Sequence, residues 1–384
     1  MHSLDRFAQA KLADLQRRHR RRALSETLRE DGIWVERDGK RLLSFSCNDY
    51  LNLTQHPAIK RAAIAAVERC GAGSGASRLV TGNHPLYAEL EARLAKIKAT
   101  EAAVVFGSGY LANAGIIPVL IGRNGLVLAD ELSHACIFAG AQLSRGRLLT
   151  FRHNDVAHAR SLLAEHRGAH DQALIVTDGV FSMDGDLAPL AALLALAQER
   201  DAWLMSDDAH GLGVIGGGRG SCFAGGEHVA VPLQMGTLSK AVGAYGGYLC
   251  ASAPVIELMR NLARTLIYST GLPPAIVAAA IAALDVIEGE PDYAALPVQK
   301  AKAFTRLTGL PEAQSPIVPV IVGEEEATLA ASRLLAEQGF LAAAIRPPTV
   351  PAGTARLRLT FTAQHSDAEI ERLADVVRTK ILAA

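Results

Sequence analysis

The chain has 384 residues, enough for two domains with large buried cores, and 39 Lys and Arg balance 39 Asp and Glu to leave no formal net charge. That balance argues against a general nucleic-acid or membrane-surface role. Hydrophobic residues make up 49% while aromatics are only 5%, which suits an α/β protein with Ala- and Leu-rich helices.

Residues 1–30 read as a charged, amphipathic helix that carries the basic cluster Arg17-Arg18-His19-Arg20-Arg21-Arg22. Trp34-Val35 and Leu42-Leu43-Ser44-Phe45 alternate around Asp38-Gly39, a hairpin signal. In Ser46-Cys47-Asn48-Asp49-Tyr50-Leu51-Asn52-Leu53, Asn52 tolerates a positive φ and Asn48 suits an Asx-turn. Residues 71–78 form a glycine-rich loop that fails as a dinucleotide fingerprint, because no clear strand enters it and the G-x-G-x-x-G spacing is absent. Helical periodicity follows over 86–97.

Residues 102–106 read as a short buried strand, and Gly107-Ser108-Gly109-Tyr110 leads into a helix starting near Leu111, whose first amides make a ready anion site. Strands are also expected at 126–129 and 173–177. The first runs into Asp130-Glu131-Leu132-Ser133-His134-Ala135. The second runs into Asp178-Gly179-Val180-Phe181-Ser182-Met183-Asp184-Gly185-Asp186, where Asp184 and Asp186 can cap a helix beginning near Ala188.

The apolar run Trp203-Leu204-Met205 reads as a buried parallel strand that delivers Asp207 to its carboxyl end, where open α/β sheets bind ligands. Six glycines make 211–220 a flexible loop by composition. The next strand is expected over 229–235, with Gly236 and Thr237 as the turn that presents Lys240 to the same crevice. A second glycine-rich stretch, 241–247, allows backbone to approach a ligand closely, and Pro273-Pro274 begins a helix over 275–288. Residues 290–384 read as helix 297–307, strand 317–322, helix 326–338, strand 356–361 and helix 367–382. Arg356 and Arg358 share one face of that last strand, since side chains alternate with period two.

The five cysteines (Cys47, Cys70, Cys136, Cys222, Cys250) are odd in number and contain no Cys-x-x-Cys pair, so neither a disulfide framework nor a zinc site is indicated. No apolar run reaches the roughly eighteen residues of a membrane span, and the N-terminus lacks the apolar core of a signal peptide. A soluble, cytoplasmic protein without a metal is the expectation.

Asp207, His210 and Lys240 carry the chemistry. Taken singly, a strand-end Asp often caps a helix, a lone His packs and a Lys lies on the surface. Together they suit pyridoxal phosphate (PLP). The carboxylate keeps the pyridine nitrogen protonated so that the ring accepts electrons. The lysine supplies an amine to the carbonyl, and His210 donates to the ring's phenolic oxygen.

From about residue 40 to the C-terminus the chain resembles the α-oxoamine synthases, fold-type I PLP enzymes related to aspartate aminotransferase. Residues 46–53 resemble the family's Ser-Asn-Asp-Tyr-Leu-Gly-Leu, with Asn52 where Gly is usual. Residues 178–186 resemble Glu-Gly-Val-Phe-Ser-Met-Asp-Gly-Asp, with Asp178 where Glu is common. The resemblance implies an α/β fold with an N-terminal helix and hairpin segment (1–50) and a large PLP-binding domain (51–289). The large domain would hold a mostly parallel seven-stranded sheet between helices, followed by a smaller α+β C-terminal domain (290–384).

It also implies that the PLP phosphate sits on Ser108, Gly109 and Tyr110, that His134 stacks on the ring, and that Ser182 touches a ring oxygen. Asp207, His210, Thr237 and Lys240 would complete the cofactor site. Thr270 would reach it from a neighbouring subunit, which requires a homodimer with shared active sites, and residues 71–84 would lie at the entrance and dimer contact. Arg358 would anchor the amino-acid carboxylate by bidentate pairing, with Asn48 nearby and Thr349 in contact with substrate. An arginine of the basic cluster, Arg22 or Arg20, would meet the carboxylate of the acyl substrate.

The activity implied is acyl transfer: decarboxylative condensation of L-alanine with a pimeloyl thioester of coenzyme A or acyl carrier protein, with Lys240, His134, Asp207 and His210 as catalytic groups. The string Arg346-Pro347-Pro348-Thr349-Val350-Pro351-Ala352-Gly353-Thr354 favours that substrate pair. Sister reactions share every catalytic group, among them glycine with acetyl-CoA, glycine with succinyl-CoA and L-serine with palmitoyl-CoA. A non-enzymatic binding protein is the remaining alternative, and the full set of Asp207, His210 and Lys240 counts against it.

Overall fold

The computed structural model describes residues 2–18 and 20–383, so His19 of the basic cluster lies outside the described residues. At its centre is a seven-stranded sheet in the order Ala102–Phe106, Gly247–Ala251, Leu233–Thr237, Trp203–Asp207, Ala173–Asp178, Leu126–Asp130, Arg147–Phe151. Gly247–Ala251 is antiparallel to both neighbours and the remaining pairs are parallel.

The continuous apolar strands follow from burial on both faces. Val127, Leu174 and Val176 point to one face, where they meet Ile116 and Ile117 of helix Gly109–Leu120 and Ile137 of helix Ala135–Ser144. Leu126, Leu128 and Ile175 point to the other, against Leu163 of helix Val156–His166 and Leu193 and Leu196 of helix Leu190–Glu199. Each such side chain contributes about 1.5–3 kcal/mol by leaving water.

A three-stranded antiparallel sheet, Ile317–Gly323, Ala355–Thr360 and Ala343–Ile345, stands beside it. The N-terminal strands Thr27–Asp31, Trp34–Arg37 and Lys40–Ser44 form a third sheet with Phe340–Leu341, which pairs parallel to Lys40–Ser44. The hairpin turns through Asp38 (φ 52°) and Gly39 (φ 70°), as the Asp-Gly signal requires, and Asn52 takes φ 53°.

Several local expectations change. The N-terminal helix runs only from Ser3 to Arg17; Thr27–Asp31 is a strand, because it finds a partner in Trp34–Arg37. The strand expected over 229–235 is Leu233–Thr237, so Gly236 and Thr237 are its last residues and not a turn. Gly236 is there for packing: a Cβ would stand 2.3 Å from the Tyr248 hydroxyl. Trp203 itself is 41% exposed, so burial of that strand begins at Leu204. The glycine-rich 211–220 is no flexible link; most of it is buried, with five of its glycines at positive φ. Asp184 and Asp186 cap nothing: helix Leu190–Glu199 has Pro189 at its start, while Asp184 pairs with Arg356 and Asp186 with His153.

One ion pair fastens the loop that follows Asp207 to its support. Lys98, at the end of helix Pro85–Lys98 and 0% exposed, binds Asp208 and donates to the Arg219 carbonyl at 2.8 Å. The other Asp208 oxygen accepts the Ser221 amide at 2.9 Å. Lys98→Ala leaves a buried carboxylate without its cation and is expected to lower stability by ~3–5 kcal/mol in urea unfolding. A loss below about 1 kcal/mol would mean that Asp208 needs no partner there.

Candidate active site

Strands Ala173–Asp178, Trp203–Asp207 and Leu233–Thr237 end side by side, so that Asp178 pairs in register with Asp207 and Asp207 with Met235. The residues at and just beyond these ends line a cavity of about 180 Å³. Into it converge Asp178, Ser182, Asp207, His210, Thr237 and Lys240, together with His134 from the strand before and Ser108, Gly109 and Tyr110 from the start of helix Gly109–Leu120.

Each group is held by named contacts. Asp207 accepts the Ala209 amide at 3.0 Å on one oxygen and the Asn113 side-chain amide at 2.7 Å on the other. His210 Nδ1 lies 2.6 Å from the Tyr50 hydroxyl. His134 caps helix Ala135–Ser144 through Nδ1, and its backbone amide donates to Asp178 at 3.1 Å. Ser108 caps its helix by accepting the Leu111 amide at 3.2 Å. Thr237 donates to the Gly246 carbonyl at 2.7 Å. Arg358 is buried, donates to the Ser182 carbonyl and to Asn48 Oδ1 (3.1 Å), and keeps Nη2 without a partner. Asn48 is thus engaged by Arg358 and not by an Asx-turn.

Burial and charge set the protonation states. Lys240 is recessed, and scarcity of water around its amine lowers its pKa while Asp207 and Asp178 pull the other way. Burial raises Asp178 well above the usual carboxylate range, with the neighbouring Asp207 charge adding to the effect. His210 is driven well below its ordinary value by burial and by the Lys240 and Arg358 charges. Burial pushes the Tyr50 hydroxyl up to about 12.

A second cavity, of about 520 Å³, shares His134 and Ser182 with the first and is walled by Leu132, Phe138, Val350 and Pro351. Thr349 then joins it to a third, of about 180 Å³, lined by Arg20, Arg22 and Arg346. Arg22 Nη2 donates to the Thr349 hydroxyl at 3.2 Å. Thr270 is not brought to the site: it is exposed and bridges by its backbone to Ser77. A larger cavity of about 660 Å³, lined by Trp203, Leu233 and Leu258, opens at the amino ends of the parallel strands, away from these groups. Among the described residues no cluster of three or more His, Cys, Asp or Glu could hold a metal, and no helix is long and apolar enough to cross a membrane.

The model of the class I and II aminotransferases matches residues 40–377. The 8-amino-7-oxononanoate synthase of Methylocella silvestris is 69% identical over 344 residues, covering 90% of this chain and 98% of the relative. That of Beijerinckia indica subsp. indica is 62% identical over 377 residues and covers 98% of both chains. The chain belongs to the 8-amino-7-oxononanoate synthases.

Among solved structures, serine palmitoyltransferase from S. paucimobilis, with a bound PLP–myriocin adduct, superposes with a TM-score of 0.91 at 29% identity over 98% of each chain. The 8-amino-7-oxononanoate synthase from Francisella tularensis gives 0.76 at 26% identity, covering 89% of this chain and 98% of that one. Membership of the synthase family makes the chain an enzyme of the acyltransferase type on a fold-type I α/β scaffold.

Three side chains at this site are not singled out as site residues by the sequence reading. Asn113 is a single amide in an otherwise apolar helix, Tyr50 lies more than a hundred residues from His210, and Cys136 reads as a packed thiol. All three bond directly to the groups named from sequence.

The buried histidines give a pH dependence. His210 lies well below its ordinary value, and His365, stacked on Phe45 at 4.0 Å, is lowered to about 3 by burial. The unfolded chain takes up protons near pH 6.5 that these folded rings refuse. Their stabilisation is therefore present above pH 6.5 and is lost as pH falls below it. His365 alone is expected to remove about 2 kcal/mol between pH 6.5 and 5. Urea unfolding at stepped pH measures this, and a flat profile would count against neutral, buried rings.

Proposed function

We propose that the chain holds pyridoxal 5'-phosphate on Lys240. On this reading it condenses L-alanine with a pimeloyl thioester of coenzyme A or acyl carrier protein. The products are 8-amino-7-oxononanoate, carbon dioxide and the free thiol, in biotin synthesis. The observation that carries the reading is an amine with a lowered pKa, Lys240, recessed in the same small cavity as the Asp207 carboxylate.

The residues present fit that cofactor. The start of helix Gly109–Leu120, beside Thr237, offers amides to a phosphate. Asp207, held by two donors, would partner the ring nitrogen's proton. His134 and Ser182 would hold the ring, and His210, braced by Tyr50, would bond its phenolic oxygen. When bound, the cofactor supplies an electron sink for the carbanion at the amino acid's α carbon.

Everything else falls to the chain's own groups. The unpartnered Arg358 Nη2 is a buried donor awaiting an acceptor, and the substrate carboxylate satisfies it. Lys240, once its amine is free, takes and returns the α-proton at Nζ, which its lowered pKa favours near neutrality. The 520 Å³ cavity has the apolar walls that a methylene chain needs, and Arg22 with Arg20 and Thr349 at its far end suits a second, distal carboxylate. That pairing of an apolar run with a terminal guanidinium favours a pimeloyl over an acetyl or palmitoyl group. Exposure of Thr270, and a helix Ser3–Arg17 that buries none of its residues, support a homodimer in which Thr270 completes the neighbour's phosphate site.

Purified protein is expected to be yellow and to turn over L-alanine with pimeloyl-CoA faster than glycine with acetyl-CoA; the reverse preference would overturn the substrate assignment. Lys240→Ala should abolish both the visible band and turnover. Arg358→Ala should raise KM for L-alanine by roughly 10- to 100-fold, the worth of a charged hydrogen bond. Arg22→Ala should raise KM for the pimeloyl thioester while sparing that for alanine.

A further inference from the structure

Along the cavity wall two side chains, Asn113 behind it and Cys136 in it, join Asp207 to His134. Asn113, wholly buried, donates from Nδ2 to Asp207 Oδ2 at 2.7 Å and to Cys136 Sγ at 3.0 Å. Cys136 Sγ lies 2.7 Å from His134 Nδ1, and the Cys136 backbone amide also points at that nitrogen, at 3.3 Å.

Donor and acceptor counting fixes the direction of every bond. A carboxylate only accepts, so the Asn113 amide nitrogen, not its oxygen, must face Asp207, and its second hydrogen goes to sulfur. Cys136 is a thiol, since burial, helped by the Asp207 charge, pushes its pKa up to about 12. The backbone N–H of Cys136 can bond Nδ1 only if Nδ1 carries no hydrogen. The thiol hydrogen then also goes to Nδ1, and the ring's one hydrogen sits on Nε2. Loss of water around the ring, reinforced by the Lys240 charge, lowers the His134 pKa against the pull of Asp207, so the neutral form is the relevant one.

We infer that Cys136 is a positioning residue. With Asn113 it fixes the ring plane and the Nε2–H tautomer of His134, and ties both to the carboxylate of Asp207. A histidine on the cavity wall with two free tautomers offers a donor at Nε2 only part of the time; with Nδ1 committed to two donors, Nε2–H is a permanent donor. Serine at 136 can play the same part, because a hydroxyl also accepts from Asn113 and donates to Nδ1. Alanine cannot.

The inference rests on the proposed reading of the cavity for its kinetic arm alone, so the test has two arms that fail separately. The full chain, labelled with ¹⁵N-histidine, is examined by NMR with and without added PLP, and the His134 resonances are assigned from their loss in His134→Asn. The expected result is an unprotonated Nδ1 and a protonated Nε2 in the wild type and in Cys136→Ser, and a mixture of tautomers in Cys136→Ala. In turnover, Cys136→Ala should lose about five- to ten-fold in kcat, the worth of one hydrogen bond, with KM for the amino acid moving less, and Cys136→Ser should restore it. A protonated Nδ1 in the wild type overturns the inference, and so does a Cys136→Ala protein with unchanged tautomer and kcat. Correct tautomers without PLP-dependent turnover would leave the relay standing and sink the proposed function instead.

Discussion

Two carboxyl groups, Asp178 and Asp207, stand in register at the ends of adjacent parallel strands, buried and facing one lysine. That juxtaposition sets the electrostatics of the cavity. Two like charges in so little water are costly, so burial and the Asp207 charge raise the Asp178 pKa well above the usual carboxylate range, while donors from Asn113 and Ala209 serve Asp207. Asp178 also accepts the His134 backbone amide, so it braces the start of the neighbouring helix. The shorter acid at position 178 brings its carboxyl to the His134 main-chain amide at the cavity wall.

The same economy appears in the support beneath. Lys98 and Asp208 form a second buried pair one residue along the chain, fastening the loop that carries His210. The candidate site's side chains are each held by a neighbour: Tyr50 for His210, Asn113 for Asp207, Asn48 and the Ser182 carbonyl for Arg358. Rigid elements supply the positions and hydrogen bonds the orientations.

Much of this was legible in the sequence. Strands buried on both faces announce themselves as apolar runs, and the residues that end them, Asp178 and Asp207, followed from that placement. What escaped had physical causes. Gly236 looks like a turn residue because composition cannot reveal that Tyr248 occupies the space a side chain would need. The charged periodicity of the N-terminus continues past Arg17, where pairing with Trp34–Arg37 overrides it. Asn113 and Cys136 are ordinary letters in ordinary helices, and only the approach of helix Gly109–Leu120 to helix Ala135–Ser144 gives them a role.

Gly247 sits at a junction that bears on how the site comes into being. It pairs with Phe106 on one side and Thr237 on the other, so in the sheet the strand that leads to Ser108 meets the strand that leads to Lys240 through a strand made long after the first and directly after the second. During synthesis the amide cradle and the lysine remain strangers until this late antiparallel strand threads between them. Such distant pairing makes for slow closure, and it means that the binding pocket matures last, after most of the large sheet has left the ribosome.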